Sequence, residues 1–163
     1  MWNTILEEKM SEIERAIALA LDAHEGQTDK GGAPYILHPL RVMAAVEQMC
    51  PDCPEKVLLA AVMHDVIEDS FYEQQDIMRI INRETAELVQ ILTKDGNKTE
   101  DEYYDQIRGS EYACYIKLAD LRDNMDVSRL TEIHENDVYR INNYKRREQE
   151  IIAAIASCHW EAV

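Results

Sequence analysis

Four side chains able to bind a metal or carry a proton, His64, Asp65, Glu68 and Asp69, fall within six residues at the end of the apolar run Val57-Leu-Leu-Ala-Ala-Val-Met63. A histidine beside a carboxylate can hold a divalent cation. Two further carboxylates follow about one helical turn, ~5.4 Å, later. From there a carboxylate can take a proton from water at such a cation. No Pro or Gly interrupts the stretch, and its Leu, Ala and Met content predicts one helix from about Pro54 to Asp69. Positions four apart stack on a helix, so the spacing predicts Glu68 over His64 and Asp69 over Asp65. The plainer reading is a core helix with Asp65 or Asp69 as a cap. Against it, ionised carboxylates are costly to bury without a partner or a metal, and three of them adjoin the most apolar segment of the chain. Clustered ionisable groups of this kind mark functional sites.

A second constellation lies on the helix expected over Glu111 to about Asp126. Lys117, Asp120 and Asn124 are spaced by three and four and share a face. Ile116, Leu118, Ala119, Leu121 and Met125 surround them, so Asp120 is poorly placed as a solvated charge and fits a fourth metal ligand. His38 precedes Pro39 at the first turn of another helix, where a side chain is well fixed. Gly26 to Tyr35, with three of the five glycines, is the most loop-like stretch, and its Lys30 can reach for phosphate. His24 falls on the apolar face of the first helix and reads as a core histidine bonded to nearby backbone. His134 and His159 read as surface residues. Cys50-Pro-Asp-Cys53 has the spacing of a zinc or redox half-motif, but no second pair matches it.

The remaining elements must position these groups. A chain of 163 residues predicts a single domain over residues 1–163 with a sizeable core. Abundant Leu, Ile, Ala and Met with few Gly predict an all-α fold. Thr4 and Glu7 fit a capping box opening a long first helix that ends near Gly26. Helices are also predicted from His38-Pro39-Leu40 to about Met49, and over Glu73–Ile81, Arg83–Thr93 (capped by Asn82), Asp101–Arg108 and Asn136–Ser157. The formal charge of −15 argues against a nucleic-acid surface, which needs clustered Lys and Arg. It does not exclude a phosphorylated small molecule held by a metal ion and a few local lysines. The first residues lack a basic start and an apolar run, and no stretch approaches membrane-span length. The default setting is therefore reduced and cytoplasmic.

Taken together, His38, His64-Asp65 and Asp120 resemble the metal set of the HD-domain phosphohydrolases. His24-Glu-Gly-Gln with Lys30, Pro34-Tyr-Ile-Leu-His38-Pro, His64-Asp-Val-Ile-Glu68-Asp and Lys117-Leu-Ala-Asp120 with Asn124 resemble, more narrowly, the hydrolase domain of RelA/SpoT proteins and the small alarmone hydrolases. That resemblance implies an HD-domain helical bundle, a divalent metal (manganese), and removal of the 3′-diphosphate from guanosine tetra- and pentaphosphate. By position it implies His38, His64, Asp65 and Asp120 as ligands, and Glu68 and Asp69 as the groups that activate water. Lys30, Asn124 and Tyr144 would meet the substrate, as would Lys94 or Lys98. Asp29 stands where the family carries an arginine, and a carboxylate can only accept hydrogen bonds. The alternatives are an HD-type phosphatase for another nucleotide or phosphate ester, and a sensor that binds without cleaving.

Overall fold

The computed structural model describes residues 9–157, and these form helices with no strand among them. The helices are α1 (Glu12–Ala23), α2 (Leu37–Met49), α3 (Glu55–Val62), α4 (Val66–Asp69), α5 (Gln74–Ile80), α6 (Arg83–Leu92), α7 (Glu100–Arg108), α8 (Glu111–Met125) and α9 (Glu135–Ser157). A 3-10 turn, Val127–Arg129, joins α8 to the segment before α9. None of the described helices is long and apolar enough to cross a membrane.

The all-α expectation holds, with corrections at its edges. The long first helix does not run through Lys9–Ser11. Ser11 caps α1 instead, its hydroxyl accepting from the Glu14 amide while the Glu14 carboxylate accepts from the Ser11 amide. Thr4 and Glu7 lie outside the described residues, as do Cys158 and His159. Asn82 caps α6 as expected, accepting from the Thr85 amide at 2.8 Å.

α3 is the hub. Val57, Leu59, Ala60, Ala61, Val62 and Met63 are all fully buried, and α3 packs against α1, α2 and α6. α8 forms the other wall, between α2 and α9, and buries Ala113, Cys114, Ile116, Leu118, Ala119 and Leu121. The two walls also touch each other, and α2 packs against both. Removing surface of this kind from water is worth roughly 25 cal/mol per Å², so the core holds the site's walls rigid.

The predicted continuous helix from Pro54 to Asp69 is broken. α3 ends at Val62, and the chain passes through a tight turn at Met63–Asp65 before α4. Its bonds there are three residues apart, Met63 N–H to Ala60 O (3.2 Å) and Val66 N–H to Met63 O (3.0 Å). The expected stacking of Glu68 over His64 therefore does not apply. Neighbours on an α-helix diverge by about 100°, whereas the turn lets adjacent His64 and Asp65 point into one cavity.

Cys50 and Cys53 form a disulfide across the turn between α2 and α3, where the Cys53 amide bonds to Cys50 O and the Cα atoms are 5.3 Å apart. This departs from the reduced state expected of the chain, and it leaves neither thiol to a zinc half-site.

Candidate metal centre

His64 stands at the break after α3. Its Nδ1–H donates to Ala61 O at 2.8 Å, turning Nε2 into the cavity. His38 enters from the first turn of α2, with Nδ1 2.7 Å from Asp123 Oδ2. A carboxylate can only accept, so Nδ1 carries the proton and Nε2 is the free nitrogen here too. Both imidazoles are buried, 4% exposed for His38 and 3% for His64. Neither Nε2 has a hydrogen-bond partner among the described residues.

Two carboxylates converge on these nitrogens. Asp65 Oδ2 lies 3.0 Å from His64 Nε2 and 3.6 Å from His38 Nε2. Asp120 Oδ1, from α8, lies 3.1 Å from His38 Nε2 and 3.5 Å from His64 Nε2. One ligand atom each from His38, His64 and Asp65 falls within 4.8 Å of the others. Two unsatisfied, sealed imidazole nitrogens facing two carboxylates fit a divalent cation, and a mixed N/O set suits manganese, zinc or iron. Burial disfavours charge on His38, but the Asp120 and Asp123 carboxylates outweigh it and raise its pKa. Burial likewise opposes the charged form of His64, and Asp65 and Asp120 lift it well above the usual histidine range. The cavity thus favours positive charge at these nitrogens.

Three side chains fix the carboxylates. The Tyr35 hydroxyl donates to Asp65 Oδ2 at 2.6 Å. Lys117 Nζ lies 2.7 Å from Asp120 Oδ2, and Asn124 Nδ2 donates to Asp120 Oδ1 at 2.6 Å. Asn124, expected to meet substrate, thus spends a donor on Asp120, though it still borders the cleft.

The cleft beside this cluster is lined by Asp65, Glu68, Asp69, Lys94, Tyr103 and Tyr144, among others. Desolvation raises the Asp69 pKa, and the Asp65 and Glu68 carboxylates add to the shift, which makes Asp69 a better proton acceptor. The Lys94 amide donates to Glu68 Oε2 at 3.2 Å, and its ammonium is 3.7 Å from Glu68 Oε1. Lys98 turns away to Gln106, so Lys94 is the loop lysine at the cleft.

Tyr35 and Asn124 also border a second compartment, with His38, Lys30, Arg41, Arg129 and Arg140. Lys30 is 60% exposed at its side chain and pairs with Asp137 Oδ1 at 3.2 Å. Asp29 is turned into its own loop, where Oδ1 accepts from the Gly31 and Ala33 amides at 2.9 Å each. The loop then packs so tightly that a Cβ on Gly31 would meet Arg129 O at 2.5 Å.

His24 is buried, but it bonds to a side chain rather than to backbone. Its Nδ1 meets Gln27 Oε1 at 2.9 Å, and Gln27 Nε2 donates to Asp69 O at 3.0 Å. The first loop is thereby tied to the end of α4. Asp123 carried no functional signal in the sequence, whereas Tyr35, His24 and Gln27 stood within the motifs of the family resemblance with no role assigned to Tyr35 or Gln27. The partners of Asp123 and Tyr35 are distant in the chain, 85 and 30 residues away, so no local spacing marks what they hold. His134 is exposed, as expected.

His38 from α2, the His64-Asp65 pair from the break after α3 and Asp120 from α8 thus meet in one cavity. The sequence profile described as HD domain matches residues 16–108, and the chain belongs to that family. The chain is 40% identical over 88 residues to the bifunctional (p)ppGpp synthase/hydrolase SpoT of Escherichia coli K12, a match covering 54% of this chain and 12% of that protein. It is 32% identical over 122 residues to the guanosine-3′,5′-bis(diphosphate) 3′-pyrophosphohydrolase of Aquifex aeolicus, covering 70% of this chain and 17% of the relative. The chain thus spans only a small part of these curated relatives. Among solved structures, a metazoan ortholog of SpoT described as hydrolysing ppGpp superposes with a TM-score of 0.73 at 23% identity, over 91% of this chain and 87% of that one. This last likeness concerns the fold.

Proposed function

We propose that this protein is a metal-dependent pyrophosphohydrolase that removes the 3′-diphosphate from guanosine tetra- or pentaphosphate or a related alarmone nucleotide. The observation that carries the reading is the pair of sealed, unpartnered His38 and His64 nitrogens facing Asp65 and Asp120, next to a cleft with spare carboxylates. The relatives' names point to the same substrate class.

His38, His64, Asp65 and Asp120 would hold the cation, which we take to be manganese. When bound, a divalent cation acidifies water and polarises a phosphoryl oxygen. Glu68 and Asp69 accept the proton, a general-base contribution typically worth about 10²–10⁴-fold. Lys94 offers its ammonium to the departing phosphates, and Tyr144 offers its ring to the same cleft. Lys30 and Asn124 meet the rest of the substrate from the second compartment. A cytoplasmic setting goes with a nucleotide substrate.

One observation favours a second reading, an HD-type phosphatase for another nucleotide or phosphate ester. Asp29 offers no donor to a base, because a carboxylate can only accept, and its Oδ1 is already taken by the amides of its own loop. A panel of guanosine and adenosine nucleotides, with and without 3′-phosphates, separates the two. The first reading expects manganese-dependent release of pyrophosphate from the 3′-diphosphates. Release of orthophosphate from simple monoesters alone overturns it in favour of the second.

A further inference from the structure

The two imidazoles of the centre are oriented by different means. His64 is held by a neutral carbonyl, Ala61 O, one turn back in its own segment. His38 is held by a carboxylate, Asp123, 85 residues away on α8. That carboxylate is itself clamped. Arg41 Nε is 2.7 Å from Asp123 Oδ1 and Arg41 Nη2 is 3.0 Å from Oδ2, a two-pronged grip. Arg129 Nη2 adds a contact at 3.2 Å to Oδ2 and donates to the Asp123 carbonyl at 2.8 Å. Asp123 is only 11% exposed at its side chain.

We propose that Asp123 is a positioning residue for the metal centre, fixing the His38 ring so that Nε2 faces the cation. It rests on the reading of His38 as a ligand. The physical argument has three parts. A carboxylate beyond a ligating histidine locks the tautomer and the ring plane, and it makes the other nitrogen a stronger donor; losing such a partner typically costs 10–100-fold in metal affinity. The Arg41 fork fixes the carboxylate plane, since a guanidinium paired through two nitrogens allows a single relative orientation. Finally, Arg41 lies three residues beyond His38 on α2, so histidine, carboxylate and clamp move as one unit linking α2 to α8.

The test reads metal binding directly, apart from turnover. Mn²⁺ affinity of the parent chain, Asp123→Asn and Asp126→Asn is measured by electron paramagnetic resonance, with thermal melts run alongside. Asp126 pairs with Arg129 but not with His38. Asp123→Asn is expected to weaken Mn²⁺ binding by about 10–100-fold, while Asp126→Asn stays near the parent value. Equal affinity in the parent and Asp123→Asn overturns the inference and leaves the proposed function standing. A parent chain that takes up no Mn²⁺ overturns both. Should Asp123→Asn fail to fold, ¹⁵N spectra of the histidines in the Zn²⁺-loaded parent decide the matter. The proton is expected on His38 Nδ1 with Nε2 coordinating, and the reverse arrangement refutes the role of Asp123.

Discussion

Lys117 Nζ lies 2.7 Å from Asp120 Oδ2, one turn along the same face of α8, with the side chains 11% and 7% exposed. Burial opposes both charges, yet the pairing keeps them. Asp120 lifts the Lys117 pKa well above its ordinary value, and Lys117 holds the Asp120 carboxyl well below its own. The rings of Tyr103 and Tyr104 lie 5.4 and 5.9 Å from the ammonium and close the remaining sides. One oxygen of Asp120 is thereby committed to lysine, and the other faces the histidines.

Breaking this pair leaves an uncompensated buried carboxylate. Lys117→Met is expected to destabilise the metal-free protein by about 3–5 kcal/mol, the usual cost of removing one partner from a buried ion pair. Added Mn²⁺ is expected to raise the melting temperature of the variant more than that of the parent, because the cation replaces the lost charge. Urea unfolding with and without metal measures both effects. A variant as stable as the parent without metal contradicts the argument.

Glu68→Gln and Asp69→Asn keep the shape of the cleft and remove the proton acceptors. Each is expected to lower kcat by roughly 10²–10⁴-fold while Mn²⁺ affinity stays close to the parent value. Steady-state kinetics beside a metal titration checks this. Parent-level turnover in both variants removes these residues from the mechanism.

Asp29 serves its own loop, so its loss is a matter of folding. Asp29→Ala leaves the Gly31 and Ala33 amides without their acceptor, and a destabilisation of about 0.5–1.5 kcal/mol is expected, since water reaches these amides. Gly31→Ala should act on the same loop by another route, since its Cβ would collide with Arg129 O. Denaturant melts of both variants, with exchange rates of the loop amides, report whether this turn opens.

The Asp137 carboxylate accepts from the His134 amide at 3.2 Å and pairs with Lys30 and Arg140, which holds its pKa below the ordinary aspartate value. A folded pKa below the unfolded one, about 3.9, gives stability that is present above the unfolded value and lost as pH falls through the folded one. Asp137→Asn should therefore melt below the parent at pH 7, and the two melting curves should converge in strong acid. A difference that persists unchanged in strong acid is inconsistent with this origin.

Much of the molecule was readable from local patterns. Apolar spacing and caps such as Asn82 gave the helices, because 3.6-residue periodicity is a property of adjacent positions. The ionisable groups His64, Asp65 and Asp120 stood out because each sits in a run of residues that belong in a core. The break at Met63–Asp65 was not visible. Leu, Ala and Met all favour helix, yet α3 ends at Val62 and the turn after it brings two adjacent side chains into one cavity. Nor did the chain reveal the role of Asp123, which reads as one more acid on an acidic helix until α2 brings His38 and Arg41 against it. Residue types and their spacing settled which groups could do chemistry. Their aim, and the partners that hold it, came from contacts between segments up to 107 residues apart, which no local pattern encodes.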